Sequence, residues 1–162
     1  MKIMIVPIGN EYAEAAINLI LNIQQKEFNV AITLEDQPDL LEINNFYYQS
    51  GGCFWGAFID GQLVGTIALV KFDSDAGAIR KMFVKKEYRG KELQIAQQLL
   101  ETLITYCNEN SINHLYLGTV SILEAALRFY ERNNFVRVDK ELLPEKFPLM
   151  SGDNVFCHLT LQ

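Results

Sequence analysis

The sequence has few of the residues that build metal sites, disulfide frameworks or nucleic-acid interfaces. Its 162 residues include only 3 cysteines and 2 histidines. The cysteines (Cys53, Cys107 and Cys157) are odd in number and show no metal-ligand spacing, so we expect free, buried thiols and no metal site. The 14 basic residues are outnumbered by 20 acidic ones, for a net charge of −6. This balance argues against a nucleic-acid partner, because nucleic-acid-binding proteins usually present a basic surface.

Long apolar runs are also missing. No run approaches the roughly 20 residues that a membrane-spanning helix needs. The start, residues 1–7, has too short an apolar run for a signal peptide and no small-residue cleavage site. We therefore expect a cytoplasmic protein without a membrane partner. The length of 162 residues and the apolar fraction of 49% suit a single domain over residues 1–162.

Apolar periodicity predicts alternating strands and helices. The predicted strands are residues 2–7, 53–59, 63–72, 78–84, 114–118, 135–138 and 155–161. Helices are predicted to start near Asn10 as an N-cap, near Leu34, after the turn at residues 85–91, and at a capping box formed by Ser121 and Glu124.

Local signals predict how these elements connect. Asp60-Gly61 between two apolar runs predicts a tight hairpin, and the strand at 78–84 would extend it to three antiparallel strands. A single helix separates the strands at 78–84 and 114–118, which predicts that these two strands are parallel neighbours. Asn134 follows a helix and is expected to take the left-handed conformation there.

Residues 79–100 join a strand, a basic turn and a helix. The strand contains Met82-Phe83-Val84, and the turn contains Lys85, Lys86, Arg89, Gly90 and Lys91. The helix has an apolar face formed by Leu93, Ala96, Leu99, Leu100, Leu103, Ile104 and Cys107. The first turn of a helix has unpaired N–H groups and the positive end of the macrodipole, so this arrangement suits phosphate binding. An ordinary strand–helix junction with solvated charges is the alternative.

The same stretch resembles motif A of the GCN5-related N-acetyltransferases, in which an Arg/Gln-x-x-Gly-x-Gly/Ala loop holds the pyrophosphate of acetyl-CoA. Arg89-Gly90-Lys91 matches the start of that loop, whereas the two loop glycines of the family fall on Glu92 and Gln94. Glycine permits a positive φ or a close backbone approach. If residues 91–96 are helical, their N–H groups can still point at the pyrophosphate. Glu92 adds a repulsion of roughly 1–4 kcal/mol at about 4 Å, but the segment keeps a net positive charge, so we expect the phosphate site to be retained.

A second segment is similar to motif B of the same family. Residues 126–135 follow its Ala-x-x-Phe-Tyr-Glu-x-x-Gly-Phe pattern, with Asn134 in place of glycine. The resemblance covers residues 53–138. It implies an α/β (α+β) fold: a mixed, mostly antiparallel sheet of six to seven strands with a parallel splayed pair, flanked by about four helices. It also implies acetyl-CoA as acetyl donor and cofactor contacts from Met82, Phe83, Val84, Arg89, Gly90, Lys91, Glu92, Leu93, Gln94, Ile95, Ala96 and Tyr130.

The chemistry implied by the resemblance is direct attack of an amine on the acetyl thioester. The Phe83 N–H is the candidate group that polarises the thioester carbonyl. Tyr130 matches the general acid that protonates the departing CoA thiolate. The alternative for Tyr130 is a packing role, with its hydroxyl on a backbone carbonyl.

The general base and the acceptor are not specified by the sequence. Many family members carry a Glu where this chain has Ala78. The candidates for the base are therefore Asp73, Asp75, Glu124 or a chain of waters, and an amine that arrives already neutral is the further alternative. The acceptor is expected to be a small-molecule or peptide amine, selected by residues 24–50 and 139–154. A homodimer would be unsurprising for this family.

Two other functions remain open. The substitutions at Glu92, Gln94 and Ala78 would also suit an acyl-CoA-binding or regulatory domain that keeps the fold with little or no turnover. A relative that uses a different acyl donor is the third possibility. Tyr130 favours the enzyme, because a binding module needs no acid at that position.

Overall fold

The computed structural model describes residues 2–161, in which seven strands form one mixed sheet. The strands are β1 (Ile3–Pro7), β2 (Cys53–Ile59), β3 (Gln62–Asp73), β4 (Ala76–Val84), β5 (His114–Thr119), β6 (Val136–Val138) and β7 (Val155–Thr160). Their order across the sheet is β1-β2-β3-β4-β5-β7-β6. Among the described pairs, β4 and β5 are parallel and the others are antiparallel. The predicted fold class is confirmed.

Three α-helices cover the sheet, within the part of the chain that the structure describes. They are α1 (Ala13–Leu21), α2 (Ile95–Glu109) and α3 (Glu124–Arg132). Buried side chains of α2, among them Leu99, Leu100 and Leu103, fill the core on one side of the sheet, which we call the α2 face. Ala16 and Ile20 of α1 fill the core on the other side, the α1 face. The sheet is therefore buried on both faces.

The hairpin prediction is confirmed. Asp60 and Gly61 have φ values of 51° and 78° and join β2 to β3 as a two-residue turn. Positive φ at both central residues gives the turn the twist of the flanking strands. Asn134 has φ 74°, which confirms its predicted left-handed conformation after α3.

Two predicted helix caps are wrong. The α1 helix begins at Ala13, after a 3₁₀ turn at Asn10–Tyr12, and the Asn10 side chain instead accepts a hydrogen bond from the Asn44 N–H at 3.1 Å. The α3 helix begins at Glu124 without a side-chain cap. In both places the expected capping residue contacts a distant segment instead: Asn10 contacts Asn44, and Ser121 contacts Asn154.

The segment between α1 and β2 is irregular. The end of α1 continues as a π-helical turn at Asn22–Glu27. The helix predicted to start near Leu34 is instead a 3₁₀ turn at Pro38–Leu41 and a π-helical turn at Asn44–Tyr48. Further 3₁₀ turns lie at Lys86–Tyr88 and Lys140–Leu142.

The strand β7 lies between two strands that precede it in the chain. His158 of β7 is opposite Tyr116 of β5 on one side and Val136 of β6 on the other. The three cysteines are buried and unbonded, as predicted. Among residues 2–161, no helix combines the length and apolarity needed to cross a membrane.

Candidate active site

The parallel strands β4 and β5 separate soon after they meet. They pair only over residues Ala76–Ala78 and His114–Tyr116. Beyond these pairs, residues 79–84 of β4 and 117–119 of β5 line a cavity of about 1200 Å³. The predicted splayed pair is thus confirmed, and it opens a cleft through the middle of the sheet.

A bulge in β4 accompanies this separation. The register with β3 shifts between Thr66, opposite Phe83, and Ala68, opposite Arg80. Within the bulge Lys81 has φ 56°, and its carbonyl accepts a hydrogen bond of 2.7 Å from the Thr66 hydroxyl. A non-glycine residue in this region costs about 1–3 kcal/mol, and an extra residue bends its strand. The bulge therefore turns the end of β4 away from β5.

The register after the bulge decides which N–H groups face the cleft. The Lys85 N–H donates to the Val64 carbonyl of β3 at 2.8 Å. Phe83 lies two residues earlier in the same antiparallel register, so strand alternation turns its N–H toward β3 as well. The same alternation directs the N–H groups of Met82 and Val84 to the open edge. The structure thus places the Phe83 N–H on the β3 side of the strand.

The basic turn ends in an uncapped helix. Gly90 has φ 125°, residues 91–93 form a turn, and Gln94 has φ 56°. The α2 helix begins at Ile95, so among residues 91–96 only the last two are helical. The helix has neither a side-chain cap nor an acidic residue in its first turn. Its first N–H groups and its positive dipole end are therefore available to an anion.

The predicted cofactor residues divide into two groups. Those that line the cavity are Met82, Phe83, Val84, Arg89, Gly90, Ala96 and Tyr130. The others, Lys91, Glu92, Leu93, Gln94 and Ile95, form the turn and helix start beside it. The Glu92 side chain is exposed, so water and salt screen its repulsion toward a phosphate.

Arg89 is already engaged within the protein. Its Nε donates to the Val84 carbonyl at 2.8 Å, and both terminal nitrogens donate to the Glu27 carboxylate. The guanidinium also lies 5.8 Å from the centre of the Phe28 ring. The hydrogen bond from Arg89 lowers the pKa of Glu27. These contacts tie the end of the α1 layer to the end of β4.

Tyr130 is buried at the cavity wall. Its ring packs edge-on against Phe129 and Phe135, and 5% of the residue is exposed. No hydrogen bond of its hydroxyl is found among residues 2–161, and burial and the nearby Cys157 are what act on its pKa. Burial raises the pKa of this phenol above its usual value of 10.0. The group therefore stays protonated at neutral pH.

A buried polar network lies on the α1 face beside the cavity. Lys81 Nζ donates to Gln37 Oε1 at 2.5 Å and lies 3.6 Å from Asp39 Oδ2. The Tyr47 hydroxyl donates to the same Asp39 oxygen at 2.5 Å. Burial lowers the pKa of Lys81, and the Asp39 carboxylate opposes that shift. The sequence analysis did not single out this network; its one signal was a lysine within an apolar strand.

The three carboxylates that the sequence offered as general bases are exposed or lie away from the cleft. Asp73 forms an exposed ion pair with Lys146, and Asp75 is in the turn at the opposite end of β4 from the cleft. Glu124 lines the cavity but is exposed. Sequence reasoning missed Asp153, which lines the cavity half-buried. Burial raises the pKa of its carboxyl group, which suits an acid–base role.

Comparisons with known proteins agree with this geometry. Residues 17–135 match the family model for the acetyltransferase (GNAT) family. A crystal structure of a GNAT-family acetyltransferase from Staphylococcus aureus Mu50 is 40% identical, with a TM-score of 0.95 over 99% of this chain and 100% of that one.

Curated relatives share part of the chain. A probable N-acetyltransferase named camello from Xenopus tropicalis is 36% identical over 111 residues, which are 67% of this chain and 50% of that protein. An N-acetylaspartate synthetase from Danio rerio is 34% identical over 102 residues, or 62% of this chain and 36% of that protein. The chain thus spans half or less of the length of these two relatives.

Proposed function

The chain belongs to the GNAT acetyltransferase family, and we propose that it transfers an acetyl group from acetyl-CoA to a primary amine of a small molecule or a peptide by direct attack. The observation that carries this proposal is the cleft between β4 and β5, with the free hydroxyl of Tyr130 at its wall. The relative named N-acetylaspartate synthetase supports the small-molecule end of this range. A cytoplasmic location and a homodimer stay predictions.

The cleft has the parts that an extended acyl-CoA needs. The β5-facing edge of residues 79–84 has no strand partner within the described sheet, so the pantetheine amides can pair there as an added strand would. The basic turn and the uncapped start of α2 lie at the same end of β4 and suit the pyrophosphate. Acetyl-CoA bound this way supplies the acetyl thioester that the amine attacks.

The open edge also supplies a donor for the thioester oxygen. Negative charge develops on that oxygen as the amine attacks, and a fixed N–H aimed at it lowers the barrier. Because the Phe83 N–H faces β3, we assign this role to the N–H of Met82 or Val84. Phe83 keeps a place in the site through its side chain, which packs on the α1 face beside the cavity.

Tyr130 serves the leaving group. Its phenol is protonated at neutral pH, and no competing hydrogen bond of its hydroxyl is found within residues 2–161. A thiol has an ordinary pKa of about 8.5, well below that of a buried phenol. Tyr130 therefore acts first as a hydrogen-bond donor to the sulfur as its charge develops and the C–S bond breaks. Transfer of its proton to the thiolate is uphill, and it is completed when solvent returns a proton to the phenolate.

The second candidate is an acyl-CoA-binding or regulatory domain with little turnover. The pairing of Arg89 with Glu27 favours it, because a guanidinium held by a carboxylate contributes less to a phosphate site. Gln94, where the family has glycine, points the same way.

Calorimetric titration with acetyl-CoA, CoA and dephospho-CoA tests the cofactor site. We expect micromolar binding of acetyl-CoA and CoA. Arg89→Gln should weaken this binding, and the effect should grow at low salt. Glu27→Gln is the matched control, because it frees the Arg89 guanidinium and should leave binding equal or tighter.

The outcomes separate the two candidates. Binding followed by acetylation in a panel of amines establishes the enzyme. Binding without turnover on any amine of a broad panel establishes the binding domain. No binding at millimolar ligand removes both. If Arg89→Gln has no effect on affinity, the phosphates lie elsewhere.

A further inference from the structure

The β4 bulge places two consecutive cations on one face of the sheet. Ile79 and Met82 pack on the α2 face, whereas Ala78 and Phe83 pack on the α1 face. Strict alternation would not put Ile79 and Met82 on the same side, so one extra residue lies between them. The side chains of Arg80 and Lys81 both reach the α1 face, to Pro148 and Gln37 respectively.

The two cations differ in what holds them. Lys81 is 7% exposed, and its charge is offset by Asp39. Arg80 is half-buried at the cavity wall, and its one hydrogen bond within residues 2–161 goes from Nη2 to the Pro148 carbonyl at 2.7 Å. A guanidinium has five N–H donors in a fork that matches a carboxylate. Most of these donors are left for a ligand.

A carboxylate lies across the cleft from Arg80, on the same face. Leu117 of β5 packs on the α2 face, so the next residue, Gly118, faces the α1 layer. A Cβ atom on Gly118 would lie 2.6 Å from Asp153 Oδ2, so glycine lets this carboxylate approach the edge of β5. Arg80 is close enough to lower the pKa of Asp153 against the effect of burial. Still, the ion pairs among residues 2–161 do not include one between them.

Arg80 and Asp153 are thus an unpaired cation and an unpaired anion on opposite sides of the cleft. This arrangement complements a zwitterion. Tyr130 belongs to the core on the α2 face, so an acceptor on the α1 face would approach the thioester from the side opposite the acid. We propose that the acceptor is a small amine that also carries a carboxylate, such as an amino acid, with its carboxylate on Arg80 and its amine beside Asp153.

The reaction then balances as follows. Asp153 takes one proton from the ammonium group, and the freed nitrogen forms the N–C bond to the acetyl carbon as the C–S bond breaks. The nitrogen loses its second proton to solvent as the amide forms. The sulfur takes the phenol proton of Tyr130, and the phenolate regains a proton from solvent, so that one proton is released in all. The proton on Asp153 returns to solvent.

Matched pairs of acceptors test this inference, which rests on the proposed function. Each amino acid is compared with the amine that lacks its carboxylate: tyrosine with tyramine, histidine with histamine, leucine with isoamylamine, ornithine with putrescine. CoA release is measured with acetyl-CoA in excess. We expect kcat/KM to be at least about 10-fold higher for the amino acid of the preferred pair, since a charge-assisted bidentate contact contributes on this scale.

Variants locate the contact. Arg80→Gln should lower kcat/KM for the amino acid by about 10- to 100-fold and bring the ratio within the pair toward one. Arg137→Gln is the control, because Arg137 pairs with Glu131 on the surface, outside the cavity. Asp153→Asn should lower kcat and make the rate rise steadily with pH as free amine replaces ammonium, a change of profile that a packing role would not produce.

Three results overturn the inference while leaving the proposed function intact: equal or faster turnover of the amines, equal losses for both members of a pair in Arg80→Gln, or acetylation confined to peptides. Failure to bind acetyl-CoA in the calorimetric titration instead removes the proposed function itself.

Discussion

Replacing Lys81 by methionine tests how the buried network holds the cleft. At an effective dielectric constant of about 20, charges separated by the 3.6 Å between Lys81 Nζ and Asp39 Oδ2 attract by roughly 5 kcal/mol. Taking both charges out of water offsets most of this attraction, so the intact pair adds little net stability. Loss of one partner leaves a buried, uncompensated charge, because the side chains are only 4% and 7% exposed.

We therefore expect Lys81→Met to lower the free energy of unfolding by about 3–5 kcal/mol. The double variant Lys81→Met/Asp39→Asn should recover at least ~2 kcal/mol of that loss, since the amide still accepts the Tyr47 hydroxyl. Urea-induced unfolding at neutral pH measures both values, and an unchanged m value shows that the same surface is exposed.

The exposed pair of Lys146 and Asp73 gives a matched control. Its atoms are 3.7 Å apart, almost the same separation, but its side chains are 67% and 43% exposed. Lys146→Met should cost less than ~0.5 kcal/mol. The reasoning is refuted if Lys81→Met costs no more than this control. It is also refuted if the double variant loses the sum of what Lys81→Met and Asp39→Asn lose singly, because the two buried groups would then be independent.

Three further predictions follow from single groups. Tyr130→Phe should lower turnover by roughly 10²-fold or more with acetyl-CoA affinity nearly unchanged; unchanged turnover would remove Tyr130 from the mechanism. Gln94→Gly should raise the free energy of unfolding by about 0.5–1 kcal/mol, because it relieves a left-handed residue at φ 56°; a loss in urea melts would contradict the strain. Burial raises the pKa of the Cys107 thiol from 9.0 to about 12. The stability that the protonated thiol adds to the folded state is therefore present below pH 9 and is lost as pH rises toward 12, by about 4 kcal/mol in all. Urea melts from pH 7 to 11 should show a shallower decline for Cys107→Ala, and an equal decline would contradict this account.

The strands were predictable because their signals are local. The hairpin at Asp60-Gly61 and the apolar runs around it specify β2 and β3 within a few residues. The βαβ connection then predicted that β4 and β5 are parallel. The resemblance to motif A predicted that these two strands separate beside the basic turn. All of these follow from neighbours in the chain.

The missed features depend on contacts between distant segments. Arg89 and Glu27 are 62 residues apart in the chain, and their pairing has no local signature. Asp153 reaches the cleft only because β7 pairs with β5. The positive φ of Lys81 is stabilised by a hydroxyl on another strand, so a lysine in an apolar run gave no hint of a bulge.

The position of β7 has a consequence for how the protein is made. During synthesis β5 emerges first and pairs with β4, and the β6 segment follows. The other edge of β5 and the whole of β6 stay unpaired until residues 155–160 have left the ribosome, because β7 lies between them. Until then the nascent chain exposes an unpaired strand edge, a known template for aggregation. Insertion of β7 is a long-range step, so we expect it to come late in folding. Chains truncated before residue 155 should therefore remain bound to chaperones after they leave the ribosome. Chains that extend past residue 160 should not, because they contain the whole of β7.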